Sequence, residues 1–158
     1  VVKGVYKENN PMYAYKVYDR FKIYRPLADK YTKWRNNLTP YDIQGYEQLP
    51  KKGDLLIITK SMKDVMCLYE MGYTAISPAS ESTFLTPDVI DALKLRFKRI
   101  LICFDRDVPG VKNMRKISLK TGLNGFLVHK KFQSKDISDA IKNNGLEVIK
   151  NWLKEKLS

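Results

Sequence analysis

Histidine is almost missing from this chain of 158 residues, with His129 standing alone. A single imidazole excludes a multi-histidine metal centre and argues against a histidine-centred triad. Cysteine is nearly as scarce. Cys67 falls in a predicted helix and Cys103 in a predicted strand. Two buried free thiols in a reducing cytoplasm are therefore expected, with no disulfide framework and no Cys/His spacing for zinc. No apolar run reaches the roughly 20 residues that cross a bilayer, and no signal-peptide pattern opens the chain. The chain begins at Val1 rather than Met, as a piece of a longer protein would. Acids are short too: 17 against 29 Lys and Arg, a net charge of +12. That imbalance points to a polyanionic partner, nucleic acid first, and away from membrane.

What is present divides in two. Residues 1–52 carry eleven basic side chains against five acidic ones, and eight of the ten tyrosines. Met12–Tyr18 and Phe21–Tyr24 are rich in strand formers, and Asp19-Arg20 between them suggests a hairpin. Lys30–Asn37 follows as a cationic patch around Trp34. Aromatics among lysines and arginines can stack bases and neutralise phosphates. The tyrosines are expected to be cross-strand pairs of a small sheet, whereas Lys22, Arg25, Lys33, Trp34 and Arg35 are candidates for nucleic-acid contact.

After Leu49–Gly53, a linker, residues 53–158 alternate strands and helices. Strands are predicted at 54–59, 73–77, 99–104 and 125–129. Helices are predicted from Met62 to Gly72, Thr86 to Phe97, Val111 to Gly122, Lys135 to Lys142 and Leu146 to Leu157. The division expected is a basic, Tyr-rich β subdomain (1–52) before an α/β domain (53–158) with a parallel, helix-covered sheet.

Acidic residues collect where those strands end. The apolar run Ile100–Phe104 stops at Asp105-Arg-Asp-Val-Pro-Gly110. Two such carboxylates about 4 Å apart repel by roughly 4 kcal/mol at an effective dielectric near 20. A divalent cation relieves this, and Mg²⁺ favours one or two carboxylates with waters and phosphates. Asp64 sits on the first turn of the first helix of the α/β domain, and Asp136 and Asp139 follow the fourth predicted strand. Open α/β sheets bind their ligands at such strand ends. Taken singly, Asp64 or Asp136 is more often a helix amino-terminal acid than a ligand.

In this order the residues resemble a TOPRIM domain, the catalytic fold shared by bacterial-type primases, type IA and II topoisomerases and some nucleases. Asp105–Gly110 matches the family's Asp-x-Asp-x-x-Gly, and Lys135–Asp139 its Lys-Asp-x-x-Asp-like turn. The leader, with Phe21–Pro26, Lys33-Trp34 and Ile43–Gly45, is similar to the basic subdomain of phage primases and primase–helicases. The resemblance implies a four-stranded parallel sheet flanked by helices, behind a small basic β-rich subdomain. It further implies a DNA primase, a nucleotidyltransferase making short RNA primers on single-stranded DNA from NTPs. Asp105, Asp107 and Asp136 would hold Mg²⁺ or Mn²⁺. A replicative helicase, fused or separate, would be the partner in a bacterial or phage-infected cell. The zinc ribbon that primases commonly carry would lie upstream or on another chain.

One position departs from the pattern. Where the family has Glu-Gly-x-x-Asp, this chain reads Lys60-Ser-Met-Lys-Asp64. Protonated lysine does not ligate a metal. Lys60 could hold a substrate phosphate or pair with Asp105. Either the site has become a binding scaffold, or Glu81 supplies the missing carboxylate from the loop after the second strand. Glu81 as an ordinary exposed loop acid is equally open. The catalytic candidates are thus Lys60, Asp64 and Glu81. A TOPRIM nuclease is a further alternative.

Overall fold

A computed structural model describes residues 2–5, 11–80 and 84–158. Glu81 lies outside the described residues. The leader builds an antiparallel sheet from β1 (Val2–Val5), β2 (Pro11–Val17), β3 (Arg20–Tyr24) and β4 (Trp34–Asn36), in chain order. The expected hairpin is present, with Val17 opposite Arg20 and Tyr18-Asp19 forming the turn. Tyr18 takes φ +54°, unusual for a bulky residue, and its N–H donates to Glu47 at 2.9 Å. Tyr13 opposes Tyr24, and Tyr24 opposes Trp34. Tyr13 and Tyr24 therefore form the expected cross-strand pair, whereas Tyr15 opposes Lys22 and Tyr31, Tyr41 and Tyr46 lie outside the strands.

The chain then adds β5 (Ile43–Gln44), β6 (Gly53–Ile58), α1 (Met62–Glu70), β7 (Ala75–Pro78), α2 (Pro87–Arg96) and β8 (Phe97–Cys103). It closes with α3 (Val108–Thr121), β9 (Asn124–Phe126), α4 (Ile137–Asn144) and α5 (Leu146–Leu157). The second sheet runs β5-β7-β6-β8-β9. Strands β7, β6, β8 and β9 pair in parallel, the four expected, and β5 from the leader adds an antiparallel edge.

Alternation along β6 and β8 explains their unbroken apolar runs. Leu56, Ile58, Ile100 and Ile102 pack with Ile90 and Leu93 of α2, while Ile57 and Cys103 pack with α1, α4 and α5 through Leu68, Ile137 and Leu153. Both faces are covered, so the runs Leu55–Ile58 and Ile100–Cys103 are apolar without a break, and the charged residues Asp54, Lys98 and Arg99 fall at the strand starts. Each fully buried Leu or Ile contributes roughly 1.5–3 kcal/mol.

Several boundaries differ from the sequence reading. α3 begins at Val108, three residues early, because the Asp107 side chain caps it and Pro109 fits the first turn. β9 is shorter than predicted, since His129 leaves the strand and accepts from the Lys131 N–H at 3.1 Å, capping a 3₁₀ turn. α4 begins at Ile137, behind an Asp136 cap. Thr86 precedes α2 without a side-chain capping bond.

Candidate functional site

The acidic residues gather where the parallel strands end, each held by a different local device. After β6, Ser61 caps α1: its oxygen accepts from the Asp64 N–H at 3.3 Å, and its hydroxyl donates to Asp64 Oδ2 at 2.8 Å. Asp64 Oδ1 accepts from the Ser138 N–H at 2.9 Å, joining α1 to the start of α4. After β8, Asp107 Oδ1 accepts from the Gly110 N–H at 2.7 Å. Before α4, Asp136 Oδ1 accepts from the Asp139 N–H at 2.7 Å and from the Ser138 hydroxyl at 2.9 Å.

Glycine at position 110 is dictated by space. A Cβ there would stand 2.3 Å from the Asp105 carbonyl oxygen and 2.9 Å from Asp107 Oδ1. The glycine of the Asp-x-Asp-x-x-Gly sequence thus lets the helix start press against the turn that carries both carboxylates.

Arg106, between the aspartates, ties the site together. Its N–H donates to the Lys135 carbonyl at 2.7 Å and its Nε to the Val128 carbonyl at 2.5 Å. The loop bearing Asp136 is thereby fastened to the end of β8. Sequence reasoning missed this role, because one residue serving two distant carbonyls, one through its backbone N–H and one through its guanidinium, leaves no local pattern. The Ser61 cap did have a signal, in Ser61-x-x-Asp64 ahead of an apolar periodicity.

Asp64, Asp105 and Asp136 interact electrostatically. Burial pushes the Asp64 carboxyl up to about 6, with Asp136 and, more weakly, Asp105 adding to it against the bonds from Ser61 and Ser138. Burial also raises Asp105; Lys60 and Lys135 oppose that rise, whereas Asp136 and Asp107 assist it. Lys60 Nζ stands 3.6 Å from Asp105 Oδ2, and the two side chains are only 8% and 11% exposed. For Lys135, burial works against the ammonium, but Asp105, Asp136, Asp139 and Asp107 together hold its pKa above the ordinary value. An acidic cluster is here balanced by two lysines.

For a metal, the donor set suits an ion that retains much of its water. Among the described residues no three carboxylate, imidazole or thiol groups form a cluster that could hold an ion. Asp107 and Asp136 each spend one oxygen on a helix cap and keep the other disengaged from the described residues. Mg²⁺ needs only one or two such carboxylates, with waters and phosphates completing its shell.

The cationic candidates of the leader occupy varied positions. Lys22 donates to the Ala79 carbonyl at 3.0 Å and lies 5.1 Å from the Trp34 ring centre, bridging the two sheets. Arg25 Nε donates to the Thr32 carbonyl at 3.2 Å. Lys33 and Lys63 each lie 5.8 Å from the Tyr24 ring, which stacks on Trp34 at 4.3 Å. Arg35 is exposed on β4. Lys63, on α1, was not among the residues expected there.

Among solved structures, the chain resembles the catalytic domain of DnaG primase bound to single-stranded DNA, with TM-score 0.67, 17% identity, and 92% of this chain and 51% of that one covered. The Escherichia coli primase catalytic core gives TM-score 0.68 at 16% identity, covering 97% and 56%. The primase fragment of the bacteriophage T7 primase-helicase gives TM-score 0.65 at 14% identity, covering 99% and 66%. The chain therefore has the fold of these cores, and spans about half to two thirds of their length. No curated protein matches it in sequence. A family model described as Toprim-like matches residues 57–141, from the last residues of β6 into α4. With more than half of its length matched, the chain belongs to the Toprim-like family.

Proposed function

We propose that this chain is the RNA-polymerising domain of a phage-type DNA primase, making short RNA primers on single-stranded DNA from NTPs with Mg²⁺ or Mn²⁺. One observation carries the reading. The primase cores align with 92% to 99% of the chain, so the likeness takes in the leader sheet and not the Toprim-like segment alone. A nuclease or topoisomerase would share the acidic site but gives no reason for that leader. The cell would be a bacterium or a phage-infected host, with a replicative helicase fused or separate as partner.

In this reading Asp107 and Asp136 would hold the ion, joined by Asp105 where the ion displaces Lys60 from it, and the ion would supply charge stabilisation to the attacking and leaving oxygens. Asp64 positions rather than reacts: buried between Ser61 and Ser138, it fixes α1 against α4 and so sets where Asp136 stands. Lys60 opposes the rise that burial imposes on the Asp105 carboxyl and brings a positive charge to the strand ends where a triphosphate would lie. Glu81 is the carboxylate offered in place of the motif glutamate. Lys33, Trp34 and Arg35, with Lys22 and Arg25 bracing them, contact the template strand.

A second reading has a specific observation in its favour. The buried Lys60–Asp105 pair already neutralises the first aspartate, as in a binding module that no longer polymerises. Incubation with single-stranded DNA, NTPs and Mn²⁺ separates the two. Primase chemistry gives short RNA products that fall at least 100-fold in Asp105→Ala, with DNA affinity kept. Loss in Glu81→Gln as well assigns the missing carboxylate, and full activity there removes Glu81 from the site. Tight DNA binding with no product across a metal titration favours the module.

A further inference from the structure

A cavity of about 560 Å³ opens between α2 and α3, beside the end of β8. Its size lies within the range that holds small ligands. Phe104 and Phe84 line it, edge to face with ring centres 6.2 Å apart. Lys60 lines it too, so one buried side chain borders both the cavity and Asp105.

The rest of the lining sets apolar groups such as Ile90 and Ile117 beside one acid, Asp91, and three further lysines, Lys94, Lys116 and Lys120. α3 carries Lys112, Arg115, Lys116 and Lys120 and no acid. Lys116 and Lys120, one helical turn apart, both border the cavity. Like charges at this spacing repel each other, and among the described residues no carboxylate pairs with either. Lys94, also in the lining, is engaged by the Thr121 carbonyl at 3.1 Å and by Asp91 at 3.9 Å. An aromatic surface beside two uncompensated ammonium groups suits a ligand with a flat ring at one end and a phosphate at the other. Proposed polymerisation at the aspartates shares only Lys60 with this space.

We propose that the α2–α3 cavity binds a free nucleoside monophosphate, its ring against Phe84 and Phe104 and its phosphate on Lys116 and Lys120. The site needs neither metal nor template, so it stands or falls separately from primer synthesis. Because Lys60 borders both, a phosphate here competes with Asp105 for the same ammonium, and occupancy is felt in the acidic cluster.

Calorimetric titration of the wild-type chain with AMP, in EDTA and low salt, tests the assignment. The expected result is one-to-one binding that weakens at least tenfold in the Lys116→Glu/Lys120→Glu double variant and in Ile117→Trp, which fills the space. Lys33→Ala/Arg35→Ala should stay within twofold of wild type, and adenosine or inorganic phosphate should each bind at least tenfold more weakly than AMP. No binding at millimolar AMP overturns the proposal, as does affinity unmoved by the charge reversals. Phosphate binding as well as AMP overturns the nucleotide assignment, and tenfold tighter binding of a 5′-phosphorylated dinucleotide overturns the free-ligand one. Should Ile117→Trp fail to fold, the charge reversals on exposed α3 positions decide alone.

Discussion

In the amino-terminal sheet one row of aromatic side chains meets across β2, β3 and β4 and remains partly exposed. In the second sheet the side chains that meet are aliphatic and enclosed on both faces. Tyr13, Tyr24 and Trp34 form a row of stacked rings, with Lys22 beside Trp34 and Lys33 and Lys63 beside Tyr24. Strands β6 and β8 instead bury Leu56, Ile57, Ile58 and Ile102 completely. The first arrangement holds charge near flat rings at a surface. The second gives a rigid base from which carboxylates project at strand ends. In the proposed function the first would grip the polyanion and the second would carry the groups that handle its phosphates.

The contrast can be broken most sharply at Gly110. Gly110→Ala forces a Cβ against the Asp105 carbonyl, and a loss of about 3 kcal/mol is expected from this backbone conflict. Urea denaturation measures it. DNA affinity from the leader should survive in whatever fraction stays folded, and unchanged stability would show that the turn yields easily.

Next comes the pH response of Asp64. Its folded pKa of about 6 lies above the ordinary 3.8, so the folded state holds an extra proton between those values. The stability it contributes is complete below about 4 and lost as pH rises through 6, on the order of 3 kcal/mol in all. Asp105 is raised in the same sense. Asp64→Asn should flatten the fall in stability between pH 4 and 7, and an unaltered slope would place the proton elsewhere.

Smaller effects are expected in the leader. Trp34→Ala removes the stack on Tyr24 and should cost about 1–2 kcal/mol, seen as a lower melting temperature, while the pH profile set by Asp64 stays as it was. Lys33→Ala/Arg35→Ala should leave the fold intact and reduce the salt dependence of single-strand binding by roughly 1.4, two phosphate contacts at about 0.7 each. An unchanged slope would move the strand off this face.

Much of the second sheet was legible because its signals are local. Runs such as Leu55–Thr59 and Ile100–Phe104 declare buried strands, and Gly122, at φ +72°, ends α3 where the sequence placed a stop. The order of Asp64, Asp105, Asp107 and Asp136 located the strand-end cluster. Less visible was the division of labour within it. That Lys60 pairs with Asp105 rather than reaching solvent depends on packing, and Arg106 acts through carbonyls 22 and 29 residues downstream. Strands β4 and β5 escaped notice because three and two residues carry no periodicity, and their partners lie far along the chain.

The two residues of β5 have a consequence for how this chain behaves among copies of itself. A strand without a neighbour offers a row of unsatisfied peptide groups to which another chain can add. Ile43 and Gln44 cover that row on β7, and the buried Gln44 amide fastens the cover to the Ser77 hydroxyl at 2.9 Å and the Pro78 carbonyl at 2.6 Å. The leader thus shields the β7 edge of the α/β sheet from edge-to-edge association. A fragment starting at Gly53 would keep its acidic cluster and lose that guard, exposing a sticky margin on a protein whose positive charge otherwise keeps its copies apart.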